Sequence, residues 1–154
     1  MRSRKEFKEI SGDFFRIISK FQAIEKMAMD FGVGEKLYPS EIHMVEAIGR
    51  NPGINVTGLA ERMGITKGAV PKRIRKLEQK KLVRRYQDRE NRKEVYFRLT
   101  DTGAIAFKAH EVFHDRIDRS FQSLLCRMNN DAISVVKLVL TELDRYTDRI
   151  IEQQ

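Results

Sequence analysis

The chain has 154 residues and a formal net charge of +8, with 30 Lys and Arg against 22 Asp and Glu. Hydrophobic residues make up 41%, yet no apolar run approaches the roughly 18 residues of a spanning helix, so no transmembrane helix is expected. One cysteine cannot close an intrachain disulfide, and charges follow the basic start Met1-Arg2-Ser3-Arg4-Lys5 where a signal peptide would be apolar. A cytoplasmic location is the expectation.

Residues 5–31 are predicted to form the first helix. Phe7, Ile10, Phe14, Ile17, Phe21 and Ile24 recur in alternating steps of three and four, a seam over about three heptads, and Phe15, Ile18 and Met27 widen it. Gly32 and Gly34 are predicted to end it. Gly32-Val33-Gly34 is a loop and no phosphate cradle, because no strand precedes it. A second helix is predicted over 39–49, with Pro39 in its first turn. Asn51-Pro52-Gly53 is a turn, Ile54-Asn55-Val56 can add a short strand, and Asn55 can cap the helix that follows.

Leu59-Ala60-Glu61-Arg62-Met63-Gly64-Ile65 reads as a short helix ending at Gly64, after which Thr66 is the predicted N-cap of another. In that helix Val70, Ile74 and Leu77 share one stripe, while Gly68, Lys72, Arg75, Lys76 and Gln79 fall opposite. Two short helices joined by a glycine turn, the second cationic outside, make a helix-turn-helix. The β-prone runs Leu82–Tyr86 and Val95–Leu99 follow, separated by a polar tip over 87–94 that has nothing to bury. A helix-turn-helix followed by a hairpin is a winged helix. From Arg62 to Arg98 there are 14 Lys and Arg against 4 Asp and Glu, so the positive charge sits where DNA would lie.

After the wing, Thr102 is the predicted cap of a long helix running to about Met128, with Ile105, Val112, Phe113, Ile117, Phe121, Leu124 and Leu125 on its core face. Asn129-Asn130-Asp131 breaks and recaps the chain, and a last helix carries Ile133, Val136, Leu140, Leu143 and Ile150. The terminal helices have more apolar stripe than a small lobe can cover, which predicts a homodimer in which termini from two chains interlock. The fold class is therefore mainly α with a small β-wing: a winged helix-turn-helix on a helical dimerisation base. Residues 1–37 are the N-terminal dimerisation helix, 38–100 the DNA-binding lobe and 101–154 the C-terminal dimerisation helices. Met27, Met29, Met44, Met63 and Met128 are expected to fill core, and Cys126 to be a small buried hydrophobe.

No glycine-rich phosphate loop, nucleophile elbow or zinc-hydrolase motif is present, so the chain is expected to be no enzyme. Its expected partner is double-stranded DNA. Lys67, Gly68, Lys72 and Arg75 form the expected groove-facing set, with Arg73 on the flank and Asn55 and Thr66 at the helix starts. Arg89, Arg92 and Lys93 on the wing would reach phosphate or the minor groove.

These pieces resemble the MarR family of dimeric winged-helix transcriptional regulators over nearly the full length. The matching stretches are Tyr38-Pro39-Ser40-Glu41, Gly58-Leu59-Ala60-Glu61-Arg62, Lys67-Gly68-Ala69-Val70, Lys76-Leu77-Glu78 with Leu82-Val83-Arg84-Arg85, and Leu99-Thr100-Asp101-Thr102-Gly103. The resemblance implies a repressor whose two recognition helices read an inverted repeat in successive major grooves about 34–36 Å apart. Three departures stand out. Pro71 replaces a Ser or Thr, so the recognition helix either kinks in its first turn or starts later; Lys81 replaces a Gly after it; and Asn91-Arg92-Lys93 lacks the family's Asp at the wing tip.

The chain has three histidines. His110 and His114 lie four apart on one helix and so share a face, an arrangement that lets two imidazoles hold one metal. The zinc-responsive branch of the family binds metal with a Glu on the first helix, a His on the second and two His on the fifth. Carried over by that resemblance, the set is Glu25, His43, His110 and His114, suited to zinc or another divalent metal acting as co-repressor. That branch's further metal-binding Cys is Phe31 here, so no second site is expected. The alternative is three structural histidines in a regulator released from DNA by a small aromatic ligand, as the family commonly is. The effector is then a metal ion or a small organic molecule.

Overall fold

The computed structural model describes residues 4–24, 26–87 and 94–153. Its elements are α1 (Arg4–Ile24), β1 (Met29–Asp30), β2 (Lys36–Leu37), α2 (Pro39–Arg50), α3 (Val56–Met63), α4 (Ala69–Gln79), β3 (Val83–Tyr86), β4 (Tyr96–Leu99), α5 (Asp101–Leu125) and α6 (Asn130–Glu152). Contacts divide the chain into two units, Met1–Glu111 and Val112–Gln154. No helix among the described residues is long and apolar enough to cross a membrane.

The core of the first unit is the winged lobe. Ile42, Met44, Val45 and Ile48 of α2 are buried, as are Leu59 and Ala60 of α3, Val70, Ile74 and Leu77 of α4, and Val83 and Phe97 of the wing strands. Each large side chain moved from water to such a core contributes about 1.5–3 kcal/mol, so these stripes fix how the three helices pack. The predicted stripe Val70, Ile74, Leu77 is buried as the 3.6-residue period requires. β3 and β4 pair antiparallel from Val83 opposite Leu99 to Tyr86 opposite Tyr96. Residue 55 reaches this sheet through one bridge to Tyr96, with Phe97 N–H donating to Ile54 O at 3.0 Å, rather than through the short strand expected at 54–56.

The turn between α3 and α4 follows from two residues. Gly64 takes φ +60°, a left-handed cap that reverses the chain without strain on a Cβ, and Asn55 Oδ1 caps α3 by accepting from Gly58 N–H at 2.9 Å. Thr66 does not cap α4. The helix begins at Ala69 behind Gly68, with no side-chain cap, because Thr66 and Lys67 form a turn whose carbonyls accept from Ala69 N–H and Val70 N–H. Pro71 is therefore the third helical residue, where an amide has no intrahelical partner to lose. The later start, and no kink, accommodates the proline.

At the other end of α4, Lys81 N–H donates to Glu78 O and Leu82 N–H to Leu77 O, both at 2.9 Å. This is the paired closure that usually has glycine at its left-handed position, and Leu82 and Leu77 supply its apolar contact. Lys81 occupies that position at φ +55°, the one described non-glycine residue with positive φ.

The first helix is shorter than its periodicity predicted. It ends at Ile24, and residues 29–37 form a small hairpin with Met29 opposite Leu37. Asp30 Oδ1 accepts from Val33 N–H at 2.9 Å and Gly34 N–H at 3.2 Å, a side-chain turn that competes with helix, while Leu37 is fully buried. α5 is capped by Thr100, not Thr102: Gly103 N–H donates to Thr100 Oγ1 at 3.0 Å. Asn129 caps α6 as expected, accepting from Ala132 N–H at 2.8 Å.

Apolar residues of the long helices are largely exposed within one chain. Phe15 of α1 is 64% exposed and Leu138 of α6 is 62%, and Ile105, Val112, Ile117, Phe121, Leu124, Leu140 and Ile150 are exposed too, so one chain alone does not cover the predicted apolar faces. Met27 and Met128 are likewise exposed rather than core, whereas Met44 is buried. Cys126, just past the last residue of α5, is exposed rather than a small buried hydrophobe.

Candidate functional site

The outer face of the helix-turn-helix is built by the turn and the exposed side of α4. Thr66, Lys67, Gly68, Lys72, Arg75 and Lys76 are exposed, while Arg73 is half-buried. Arg73 and Lys72 line one side of a cavity of about 830 Å³, whose other walls include Tyr38, Glu41 and Met44 of the α2 start. Asn55 is turned inward at both ends. Its Oδ1 caps α3, and its Nδ2 donates to Glu94 Oε2 at 3.1 Å, where Tyr96 Oη also donates at 2.8 Å. Those two hydrogen bonds, Asn55 first, hold the Glu94 carboxyl below the usual carboxylate range. Arg98 stacks over Tyr86 at 5.0 Å from the ring centre. Arg89, Arg92 and Lys93 lie outside the described residues.

Some of the cations hold the lobe together. Arg85 Nε donates to Glu78 Oε1 at 2.7 Å, and its Nη2 reaches the other oxygen, so the Glu78 carboxyl sits below its usual range through that hydrogen bond. Lys80 Nζ reaches Glu41 at 3.0 Å, Glu35 at 3.4 Å and the Lys36 carbonyl at 3.1 Å. Burial works against the Lys80 charge, but the hydrogen bond and charge of Glu41, joined by Glu35, outweigh it and raise its pKa.

A second cluster joins α2 to α5. His43 lies on α2, and α5 carries His110 and His114 one turn apart on an unbroken helix. One ring nitrogen from each of the three lies within 4.8 Å of the others. His110 is 2% exposed, its ring 5.4 Å from that of His43 and edge-on to Phe31 at 5.3 Å. Zinc–imidazole bonds of about 2.0–2.1 Å require nitrogens roughly 3.3 Å apart, within the 4.8 Å limit that bounds the separations of these three. Three imidazoles from two helices are a donor set that fits zinc. Glu25, the expected fourth ligand, lies outside the described residues.

Sequence reasoning missed Glu46. It lies on α2 one turn beyond His43, with Oε2 3.5 Å from His110 Nδ1 and Oε1 accepting from Arg50 Nε at 2.9 Å. The three-residue step from His43 was the available signal. Phe31, recognised only as a lost ligand, packs on the buried histidine.

Comparison with known proteins gives the family. A model described as MarR family matches residues 37–95. An uncharacterized HTH-type transcriptional regulator of Bacillus subtilis (strain 168), YhjH, is 32% identical over 120 residues, covering 78% of this chain and 69% of YhjH. This chain belongs to the MarR family. It is a DNA-binding transcriptional regulator and no enzyme, since the family and the relative are transcriptional regulators. Two solved structures share its winged-helix fold. FabT of Streptococcus pneumoniae in complex with DNA superposes with a TM-score of 0.67 at 21% identity, over 94% of this chain and 99% of FabT. ZitR of Lactococcus lactis, a zinc-responsive MarR family member, superposes with a TM-score of 0.74 at 18% identity, over 92% of this chain and 99% of ZitR.

Proposed function

We propose that this MarR-family regulator is a homodimeric repressor that binds an inverted-repeat operator in double-stranded DNA, with zinc or another divalent metal as co-repressor. The observation that carries the reading is the gathering of all three histidines, from two helices, within 4.8 Å. Glu25 is assigned as the fourth ligand. Support for the dimer comes from the exposed apolar faces of α1, α5 and α6, which a second copy would cover. Lys67, Gly68, Lys72 and Arg75 contact the major groove and Arg73 flanks them, with Thr66 in the turn before α4 and Asn55 at the start of α3. Arg89, Arg92 and Lys93 of the wing take phosphate or the minor groove. His43 of α2 and His110 and His114 of α5 would hold the divalent cation, which would supply a cross-link between the two helices. The imidazoles do the rest, holding α2, and hence the helices packed on it, in one pose relative to α5. ZitR, described as zinc-responsive, lends the metal reading support at the level of fold.

The test is operator affinity with added zinc and with chelator, in the wild type and in His110→Ala, beside metal analysis of the purified protein. Zinc should tighten wild-type binding, chelator should loosen it, and the variant should respond to neither. If chelator changes nothing and no ion is bound, the metal reading fails. A second reading then takes its place: release by a small aromatic ligand, favoured by the cavity between the α2 start and α4, whose size lies in the range of small-molecule sites.

A further inference from the structure

Metal-binding histidines are held by what their other nitrogen touches. A carboxylate or carbonyl on the far nitrogen fixes which one carries the proton, orients the ring and makes the free nitrogen a better donor. Around His110 the candidates are specific. The ring is enclosed, with Phe31 against it and His43 beside it. Its Nδ1 lies 3.5 Å from Glu46 Oε2. Glu46 is itself held, because Arg50 Nε donates to its other oxygen at 2.9 Å and Arg50 Nη2 lies 3.8 Å from Glu111. Lys108 Nζ in turn reaches Glu111 at 3.3 Å. The Glu46 carboxylate is not part of the group whose donor atoms are mutually within 4.8 Å, and its contact in the cluster is with His110 Nδ1.

We propose that Glu46 is the positioning residue of this centre: its carboxylate, braced by Arg50, accepts a hydrogen bond from His110 Nδ1–H and leaves Nε2 unprotonated as the nitrogen offered to metal. The inference rests on the metal reading above. It goes beyond it in naming a residue outside the ligand set, the tautomer of His110 and the brace that holds both.

Two measurements test it. Long-range nitrogen–proton NMR of the metal-free wild type should find His110 with its proton on Nδ1; a proton on Nε2 overturns the proposal without any substitution. Zinc affinity, measured by competition with a chromophoric chelator, should fall about 10- to 100-fold in Glu46→Ala. Glu46→Gln, which keeps an accepting oxygen without the charge, should fall between that and the wild type, and thermal unfolding of the metal-free variants confirms that each is folded. If the wild type binds zinc and both variants bind it equally well, Glu46 plays no positioning part and this proposal fails alone. If the wild type binds no zinc, the metal reading fails and takes this one with it.

Discussion

Gly103 is the position where a single methyl group should do most damage. A Cβ built there would lie 1.9 Å from the carbonyl oxygen of Leu82 and 2.9 Å from its carbon. Both sides are backbone, so neither can rotate away as a side chain could. Non-bonded carbon atoms rest at about 3.5–4.0 Å, so the first turn of α5 must retreat by more than roughly 1 Å in Gly103→Ala. That movement pulls on Thr100 N–H to Leu82 O at 3.0 Å, on Gly103 N–H to Thr100 Oγ1 at 3.0 Å, and on the Thr100 hydroxyl donating to Lys81 O. Three hydrogen bonds contribute about 1 kcal/mol each. Overpacking strain adds about 1–3 kcal/mol, and the better helix propensity of Ala returns about 1 kcal/mol. The net expectation is a loss of about 3–5 kcal/mol, a large part of a typical domain's stability. For a chain of this length that lowers the unfolding midpoint by roughly 10 °C, read by circular dichroism on heating. Gly12→Ala is the control. It makes the same substitution in mid-α1 with nothing within 4 Å, and should raise stability by up to about 1 kcal/mol. Midpoints for Gly103→Ala within about 2 °C of the wild type would refute the close-approach argument.

Lys81→Gly should stabilise the protein by about 0.5–1 kcal/mol, the left-handed strain of about 1–2 kcal/mol being partly offset by the floppier unfolded chain; a lower urea midpoint at unchanged slope would contradict it. Glu78 has a lowered folded pKa through Arg85, so its stabilisation is complete above the usual carboxylate range and lost as pH falls through the depressed folded value. The wild type and Glu78→Gln should therefore converge in stability at acid pH and separate at neutral pH by less than about 1 kcal/mol, the pair being partly exposed; a gap that persists in acid would exclude the pair as its source. Arg75→Ala should weaken operator binding by about 1–3 kcal/mol and relax sequence preference, and an unchanged shift assay would remove Arg75 from the groove-facing set.

The winged lobe was legible in the sequence because its elements are locally determined. Val70, Ile74 and Leu77 keep helical spacing, Gly64 supplies a left-handed cap, and Phe97 is buried between more exposed neighbours in β4, so each rule pointed the same way. The errors fall where a short-range hydrogen bond competes with periodicity. Asp30 turned the predicted helix end into a hairpin, and Thr100 rather than Thr102 took the cap of α5. The faces of α5 and α6 were legible as apolar stripes longer than one lobe can cover, but period alone does not say what covers them. The three histidines were nameable from spacing and resemblance, but the carboxylate behind His110 was not, because Glu46 and His110 are 64 positions apart and meet only through packing of α2.

The charge excess of residues 62–98 does not translate directly into phosphate contacts. Lys80 is held by Glu41 and Glu35, and Arg85 by Glu78, so both are counter-charged before any DNA arrives. Both pairs attach to the C-terminal half of α4 or to the residue after it, and both reach a different element, α2 in one case and β3 in the other. They fix the roll and height of α4 on the lobe. Lys67, Lys72, Arg75 and Lys76 project from its other end and outer face, exposed and without an ion pair among the described residues. The cations that follow α4, Lys80 and Arg85, thus brace it, while those in the turn before it and along its outer face remain available to an anionic partner. A substitution at Lys80 acts on the pose of α4, whereas one at Lys72 removes charge from a helix whose pose is kept, so equal losses of formal charge have different physical causes.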